Sequence, residues 1–196
     1  ADPKIALQLL KAMIAILVSR LKATNQELAT LYEVSRIISS TRVTEDLTGK
    51  IFEQVMRDVE PAKAGFIAVW NRYNEEFDIH HSLNLPKEEH LLRDDPLVLE
   101  LCEKMLPVMV NEISEMPDLD GKFYTGLSML VSPMLYNTEL IGVIALVNPV
   151  KKRAFTYSQM VLLSDVCTHL ASALKNLEKE QEDLLKDRLS QKKVSY

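Results

Sequence analysis

The 196-residue sequence predicts an α/β (α+β) domain in which helices cover an antiparallel sheet and a long helix lies at each end. Three observations predict this fold class. Apolar residues repeat in heptads over residues 10–38, two pairs of apolar runs are each joined by a short polar turn, and helical apolar spacing resumes after residue 156. With 47% hydrophobic residues, a chain of this length can bury one good core.

Charge and cysteine content narrow the classes of partner. The formal net charge is −5 and the basic residues are spread along the chain, so no nucleic-acid partner is expected. The most apolar segment, Leu7–Val18, is interrupted by Gln8 and Lys11, so no membrane span is expected either. The two cysteines, Cys102 and Cys167, form neither a disulfide framework nor a CxxC pair, which favours a reducing, cytoplasmic location.

The first part of the chain carries the heptad pattern. Apolar positions alternate in steps of four and three, which lines one seam of a helix and favours a parallel homodimer. A long helix lying on the domain's own core is the alternative, which further apolar residues would serve. The seam consists of Leu10, Ile14, Leu17, Leu21, Thr24, Leu28, Leu31, Ser35 and Ile38, and the further apolar residues are Met13, Ile16, Val34 and Ile37.

A second helix and a hairpin follow this segment. Thr44 is the expected N-cap of the helix, an acidic first turn comes after it, and Pro61 ends it. The apolar run at 64–70 predicts a buried strand. Residues 77–83 predict its hairpin partner, because a polar turn separates the two runs.

A short helix and a second hairpin complete the predicted core. Asp95-Pro96 opens a helix that runs through Met105, with the proline in a first-turn position. The sequence then predicts a strand at 108–110, an irregular loop at 111–124, and strands at 129–135 and 140–148.

The last helix begins at Thr156-x-x-Gln159, which has the form of a capping box. Its apolar seam continues into a densely charged stretch beyond residue 177. We expect Leu170, Ala173 and Leu177 to join the dimer interface, so that the entering and leaving helices form one bundle.

The residues from 132 onward occur in a distinctive order. Ser132-Pro133-Met134-Leu135 precedes Leu140-Ile141-Gly142-Val143-Ile144, and Asn148, Phe155 and an apolar helix with Leu170-Ala171 follow. This order resembles the end of a GAF domain, the small-molecule-sensing module of many signalling proteins. The resemblance implies a six-stranded antiparallel sheet with helices on its faces and long terminal helices that form a dimeric bundle. It divides the chain into a coiled-coil or linker helix at 1–42, a GAF domain at 43–176, and a signalling helix and tail at 177–196.

The start of the chain carries a second resemblance. Pro3, Ala6, Leu7, Leu9 and Leu10, with the later heptad leucines, resemble the long helix that closes cyclic-nucleotide-binding domains of the catabolite-activator type. In that family the helix is the dimer axis. Because the chain begins Ala1-Asp2-Pro3 without a methionine, we expect a piece of a longer protein in which such a domain precedes it.

The GAF resemblance also implies where a ligand would lie. In the family it occupies a cleft between the sheet and its crossing segments, here 83–107 and 111–127. Aromatic side chains with a few polar groups suit a small planar ligand, but the same side chains can equally form core. The candidate pocket residues are Trp70, His80, Cys102, Phe123, Tyr124 and Ser132.

Three subfamily patterns fit poorly, so the cofactor is left unknown. Cyclic-nucleotide-binding GAF domains carry an Asn-Lys pair, and here Pro149 follows Asn148. Bilin-binding domains use a cysteine followed by histidine, whereas Glu103 follows Cys102. Sulfoxide reductases of GAF form use a set of cysteines that Cys102 and Cys167 do not reproduce.

No metal site and no catalytic group are expected. Neighbouring residues of a strand point to opposite faces, so His80 and His81 are expected to face apart and not to chelate one ion together. His90 and His169 lie too far away in sequence to complete a recognisable ligand set. No nucleophile and base can be paired by spacing, so the chain is not expected to be an enzyme.

These observations lead to a regulatory function. We expect a cytoplasmic sensory GAF domain of a multidomain signal-transduction protein, which binds a small molecule and transmits its state through dimeric flanking helices. The alternative is a ligand-free dimerisation and relay module between a cyclic-nucleotide-binding domain and an output domain. The other domains of the same parent chain are partners in both cases.

Overall fold

The computed structural model describes residues 3–193 and confirms the six-stranded antiparallel sheet with helices. Long helices lie at both ends of this range, and two shorter helices, the strands and two 3-10 turns lie between them. The helices are α1 (Pro3–Ser40), α2 (Thr44–Asp58), α3 (Pro96–Lys104) and α4 (Tyr157–Lys193). The strands are β1 (Ala64–Asn71), β2 (Glu76–Leu83), β3 (His90–Leu91), β4 (Val108–Val110), β5 (Ser128–Tyr136) and β6 (Glu139–Asn148), and the 3-10 turns are Ile113–Glu115 and Pro117–Leu119.

The two predicted hairpins form the centre of the sheet. The strand order is β3-β2-β1-β6-β5-β4, and every neighbouring pair is antiparallel. Strands β1 and β6 join the hairpins, with Ile67 opposite Ile144. The edges are the short strands β3 and β4, and β3 is the strand that no sequence pattern indicated. Helices α1, α2 and α4 cover one face of the sheet, hereafter the helix face, and the segments between β2 and β5 cover the other, the crossing face.

Helix α4 supplies much of the core on the helix face. Leu170, Ala173 and Leu177, which were predicted as dimer contacts, are buried within a single chain. They pack with Leu130 and Ile144 of the sheet because α4 lies along β5. The apolar spacing of this part of α4 is therefore accounted for by the chain's own core.

Helix α1 divides into two parts with different surroundings. Its last part packs on the helix face, where Val34 is fully buried and the Thr30 hydroxyl donates to Asp58 of α2 at 2.6 Å. Leu31 is partly buried against the same core. Toward its N-terminus the apolar residues are exposed, so the own-core alternative holds only for the last part of the helix. Exposed fractions lie between 51% and 62% for the seam residues Leu10, Ile14, Leu17, Leu21 and Leu28. None of the helices within residues 3–193 carries an apolar stretch that could span a bilayer.

Two helix starts test the capping predictions. Thr44 is the first helical residue of α2 and not its N-cap, which is Val43 with no side-chain hydrogen bond. The capping box before α4 is confirmed, since the Thr156 N–H donates to Gln159 Oε1 at 2.9 Å and the Gln159 N–H donates to Thr156 Oγ1 at 3.4 Å. The start of α4 is thus fixed by reciprocal bonds.

Gly142 explains one fixed feature of the second hairpin. A Cβ atom there would lie 2.2 Å from Met134 Cε and 2.7 Å from the Ala68 carbonyl oxygen. Because the backbone oxygen belongs to the adjacent central strand, it cannot move aside cheaply. The glycine permits β6 to sit between β1 and β5 at this level.

Candidate functional site

The crossing face of the sheet is closed by aromatic side chains. Phe66 of β1 contacts both Phe123 and Tyr124, with 5.6 Å between ring centroids in each case. Phe123 and Tyr124 meet edge-on at 4.9 Å, and Tyr124 is 0% exposed. These rings pack together between the sheet and the segment at 111–127, so Phe123 and Tyr124 are part of the crossing-face core, and a ligand contact for them stays a prediction.

A buried carboxylate fixes the crossing segments to each other. Asp95 accepts a hydrogen bond from the Leu97 N–H at 3.0 Å, which caps α3, and another from the Tyr124 hydroxyl. The second carboxylate oxygen of Asp95 lies 3.1 Å from Lys122 Nζ. Burial, and then the hydrogen bond to Asp95, raises the pKa of Tyr124 well above its ordinary value, so the phenol remains a donor. The network is satisfied and joins the start of α3 to the segment before β5. A second open cleft, of about 410 Å³, lies nearby between α3, β4 and the 3-10 turns.

An open cleft of about 600 Å³ lies on the helix face, between the first hairpin and α4. Its walls come from the end of β1, the first part of β2, the start of β6, the first residue of α2, and the part of α4 that extends past the sheet. Of the six predicted pocket residues, Trp70 and His80 border this cleft. The Trp70 ring itself packs against Phe77 in the crossing-face core, with ring centroids 5.0 Å apart, so it points away from the cleft. The other residues that line the cleft are Thr44, Val69, Asn71, Arg72, Tyr73, Asp78, Glu139, Ile141, Leu174, Lys175, Glu178, Gln181, Glu182 and Leu185.

Ion pairs join the hairpin to α4 across the cleft. The Arg72 guanidinium lies 3.4 Å from Glu178 and 3.0 Å from Glu182. Lys175 pairs with Glu178 at 2.8 Å along the helix. Both signs of charge are therefore present in the cleft, so a ligand there would exchange partners with groups that already hold α4 against the hairpin.

His80 and His81 both face α2, which differs from the prediction that they face apart. The β1–β2 register shifts between Ile67 and Ala68, so that His80 is an extra residue in a β-bulge. A bulge breaks the alternation of side chains, which is why two neighbours point the same way. His80 Nδ1 lies 3.0 Å from Thr48 Oγ1, and His81 Nε2 lies 3.0 Å from the Glu45 carbonyl oxygen. Burial lowers the pKa of His80, so this histidine favours its neutral form.

The remaining candidate pocket residues lie elsewhere. Ser132 lies two positions from both Leu130 and Met134 on β5, so it shares their face, and its side chain points toward α4 and not toward the aromatic cluster. Its buried hydroxyl has no hydrogen-bond partner among the described residues. Cys102 is exposed on α3. The six predicted residues thus occupy both faces of the sheet and do not line one pocket.

Comparison with known proteins agrees with the architecture. A sequence model of the GAF domain matches residues 45–176. The GAF domain of a phosphoenolpyruvate-protein phosphotransferase from Acinetobacter superposes with a TM-score of 0.67 at 19% identity, over 79% of this chain and 96% of that one. A free methionine-R-sulfoxide reductase from Neisseria meningitidis, solved with its substrate, gives 0.70 at 11% identity, over 81% and 93%.

A third solved structure comes from a signalling protein. Residues 122 to 287 of a methyl-accepting chemotaxis protein give a TM-score of 0.62 at 14% identity, over 74% of this chain and 96% of that one. At these identities the superpositions show a shared fold. A comparison with curated proteins gives no match. On the match to residues 45–176, this chain belongs to the GAF domain family.

Proposed function

We propose that this GAF domain regulates a cytoplasmic, multidomain signal-transduction protein, dimerising through α1 and passing its state onward through α4. The observation that carries the proposal is the division of α1 into a part that packs on the core and a part with exposed apolar residues. Apolar residues at heptad spacing are complementary to a second copy of the same helix. Between Leu10 and Leu28 this seam extends for about 27 Å, at 1.5 Å per residue.

The packing of α1 against α4 provides the route from dimer to output. Val34 of α1 lies in the same core as Leu170 and Leu174 of α4, and Ile38 packs against that core. Close-packed interiors change between discrete arrangements and do not deform smoothly. A rotation or shift of α1 within a dimer would therefore alter how α4 leaves the domain.

The dimer is tested by placing charges in the seam. We expect Leu17→Glu with Leu28→Glu to convert a dimer into a monomer, measured by light scattering coupled to size exclusion. Both leucines are exposed in the single chain, so the domain itself should remain folded by circular dichroism. Ser19→Glu with Gln26→Glu adds the same charge to exposed positions outside the seam and should leave the dimer intact. A dimer that survives the leucine substitutions would refute the proposed seam.

We propose the cleft beside α4 as the place of a small-molecule input. A volume of about 600 Å³ lies within the usual range for ligand pockets. A small polar molecule suits it, since Tyr73 and His80 lie beside Arg72 and Lys175. A ligand there would contact Leu174 and the charged residues of α4 directly, and so act on the output helix.

Native mass spectrometry of freshly purified protein, followed by denaturing analysis of released molecules, tests this input. A dimer that carries one small molecule per chain supports the sensor. Arg72→Ala with Lys175→Ala should weaken rebinding of that molecule when it is added back, because both side chains line the cleft. Unweakened binding to this variant would remove the cleft as its site.

The ligand-free relay is the second candidate, and the closed crossing face favours it. The face on which the family resemblance implied a ligand is filled by Phe66, Phe123 and Tyr124. In that case the domain would connect a preceding cyclic-nucleotide-binding domain to an output domain through dimerisation alone. An empty dimer whose melting temperature responds to no added metabolite would support the relay.

A catalytic role is not part of the proposal. Burial raises the pKa of the Cys167 thiol to about 12, so it is not a nucleophile near neutral pH. The sulfoxide reductase from Neisseria meningitidis shares the fold at 11% identity, which does not extend to its chemistry.

A further inference from the structure

Three potential metal ligands meet at the edge of the sheet, outside the helix-face core. His90 Nδ1 lies 3.3 Å from Glu76 Oε1 and 3.1 Å from Asp78 Oδ1. All three ligand atoms lie within 4.8 Å of one another. The group combines one imidazole nitrogen with two carboxylate oxygens and comes from two adjacent strands.

The fold explains why residues distant in sequence converge here. Glu76 and Asp78 are two positions apart on β2, before the bulge, so their side chains share one face. The antiparallel register places His90 of β3 directly opposite Asp78. Sequence spacing gave no sign of this group, because the pairing of β2 with β3 depends on a loop and a strand of only two residues.

Neighbouring side chains orient the group. Asn71 Nδ2 donates to Asp78 Oδ2 at 2.8 Å, which leaves Oδ1 directed at His90. Glu89 Oε2 lies 4.0 Å from Nε2, the other ring nitrogen of His90. Hydrogen bonds to ligating carboxylates, such as the bond from Asn71 to Asp78, are regular supports of metal sites.

We propose that Glu76, Asp78 and His90 bind a divalent first-row transition metal ion such as Zn²⁺. At bond lengths of about 2.1 Å, neighbouring ligand atoms of a tetrahedral or octahedral ion lie about 3.0–3.4 Å apart. The distances from His90 Nδ1 to Glu76 Oε1 and to Asp78 Oδ1 both fall in this range. The nitrogen donor favours a transition metal over Mg²⁺ or Ca²⁺, which prefer oxygen ligands alone. The His90 side chain is 43% exposed, so water can complete the coordination sphere.

The competing account is an ion pair in which a proton occupies His90 Nδ1. A proton and a metal ion compete for the same nitrogen, so a calorimetric titration with Zn²⁺ distinguishes the ion pair from a metal site. We expect isothermal calorimetry on the metal-free, tag-free protein to show one Zn²⁺ per chain with micromolar or tighter affinity, and much weaker binding of Mg²⁺. Substoichiometric heat, or weak heat spread over several sites, would overturn the proposal.

Variants assign the binding to these residues. His90→Ala and the isosteric Asp78→Asn should each weaken Zn²⁺ binding by at least ~10-fold, the loss that even outer-shell changes cause. His169→Ala, which removes an exposed histidine from α4, should bind Zn²⁺ as the unmodified chain does. Circular dichroism confirms that each variant is folded. If His90→Ala binds as tightly as His169→Ala does, these residues are not the site.

Discussion

The two faces of the sheet are built in different ways. The crossing face is covered by short segments, and its core contains an aromatic cluster. It also contains one buried carboxylate, Asp95, which is bonded to Leu97, Tyr124 and Lys122. The helix face is covered by α1, α2 and α4, two of which extend beyond the sheet. Both long helices pack on the helix face. We therefore expect the crossing face to contribute mainly stability, and the signal proposed above to travel over the helix face.

The largest test of this contrast is Phe66→Ala on the crossing face. We expect a loss of about 3–5 kcal/mol in the free energy of unfolding, because a fully buried ring is removed from between two others. Urea denaturation followed by circular dichroism measures it. Tyr73→Ala, at a residue 82% exposed in the hairpin turn, should change stability by less than about 0.5 kcal/mol. Equal losses in the two variants would mean that the crossing face is not a closed core.

Removing one hydroxyl from the crossing face sharpens the comparison. Tyr124→Phe keeps the ring but deletes the hydrogen bond to Asp95, at an expected cost of about 1–3 kcal/mol. Tyr136→Phe is the matched control, since Tyr136 is partly buried against the helix-face core. The same denaturation experiment applies. If the control loses as much stability, the Asp95 network does not hold this face shut.

A smaller effect is expected from pH on the helix face. Burial lowers the pKa of His80 in the folded state, Glu45 and Asp78 act against this, and His81 acts with it. The unfolded chain then binds the proton more readily, so stability is complete above the ordinary histidine pKa of about 6.5 and declines as the pH falls below it. We expect His80→Gln to reduce the drop in melting temperature between pH 7.5 and pH 5.5.

The control for this titration is His169→Gln, which alters an exposed histidine on α4. It should retain the full drop in melting temperature. A His80→Gln variant with an unchanged pH profile would show that protonation elsewhere governs the acid sensitivity.

The smallest effect is expected from Arg72→Ala, which breaks the ion pairs between the hairpin and α4. These charges are exposed, so the change in melting temperature should be the least of the four and should disappear in about 1 M salt. Lys186→Ala, whose pair with Asp183 lies within α4, provides a comparison that does not join the hairpin to the helix. A large, salt-independent loss in Arg72→Ala would mean that this junction is structural.

Local patterns were sufficient to predict most of the fold. Sequence patterns located β1, β2, β4, β5 and β6, and the capping box located the start of α4. The sixth strand was implied only by the GAF resemblance, because the two residues of β3 are too few for a periodic signal. The dimer seam stays a prediction. The exposure of its N-terminal residues in the single chain is consistent with it.

The candidate site was harder to predict because it depends on non-local register. The bulge at His80 inserts one residue, which turns both histidines toward α2. The residue types His80-His81 alone do not indicate that the register of β1 and β2 shifts at this point. Likewise, Ser132 was predicted to line a pocket with Phe123 and Tyr124. The alternation of side chains along β5 places it on the helix face, whereas the two aromatic residues lie on the crossing face. Trp70 and His80 belong to one hairpin, but the Trp70 ring packs on the crossing face and His80 contacts α2, so their place in a ligand pocket stays a prediction.

Helix α4 continues without interruption from its capped start to Lys193. In rotational terms, the direction in which an attached domain points is set by the count of residues after that cap. Each inserted residue turns everything downstream by about 100°, and seven bring it back to within about 20°. A fusion of this chain to a reporter enzyme should therefore gain and lose regulation with a seven-residue period in linker length. In such a chimaera, the length of the linker after α4 sets the orientation of the fused enzyme.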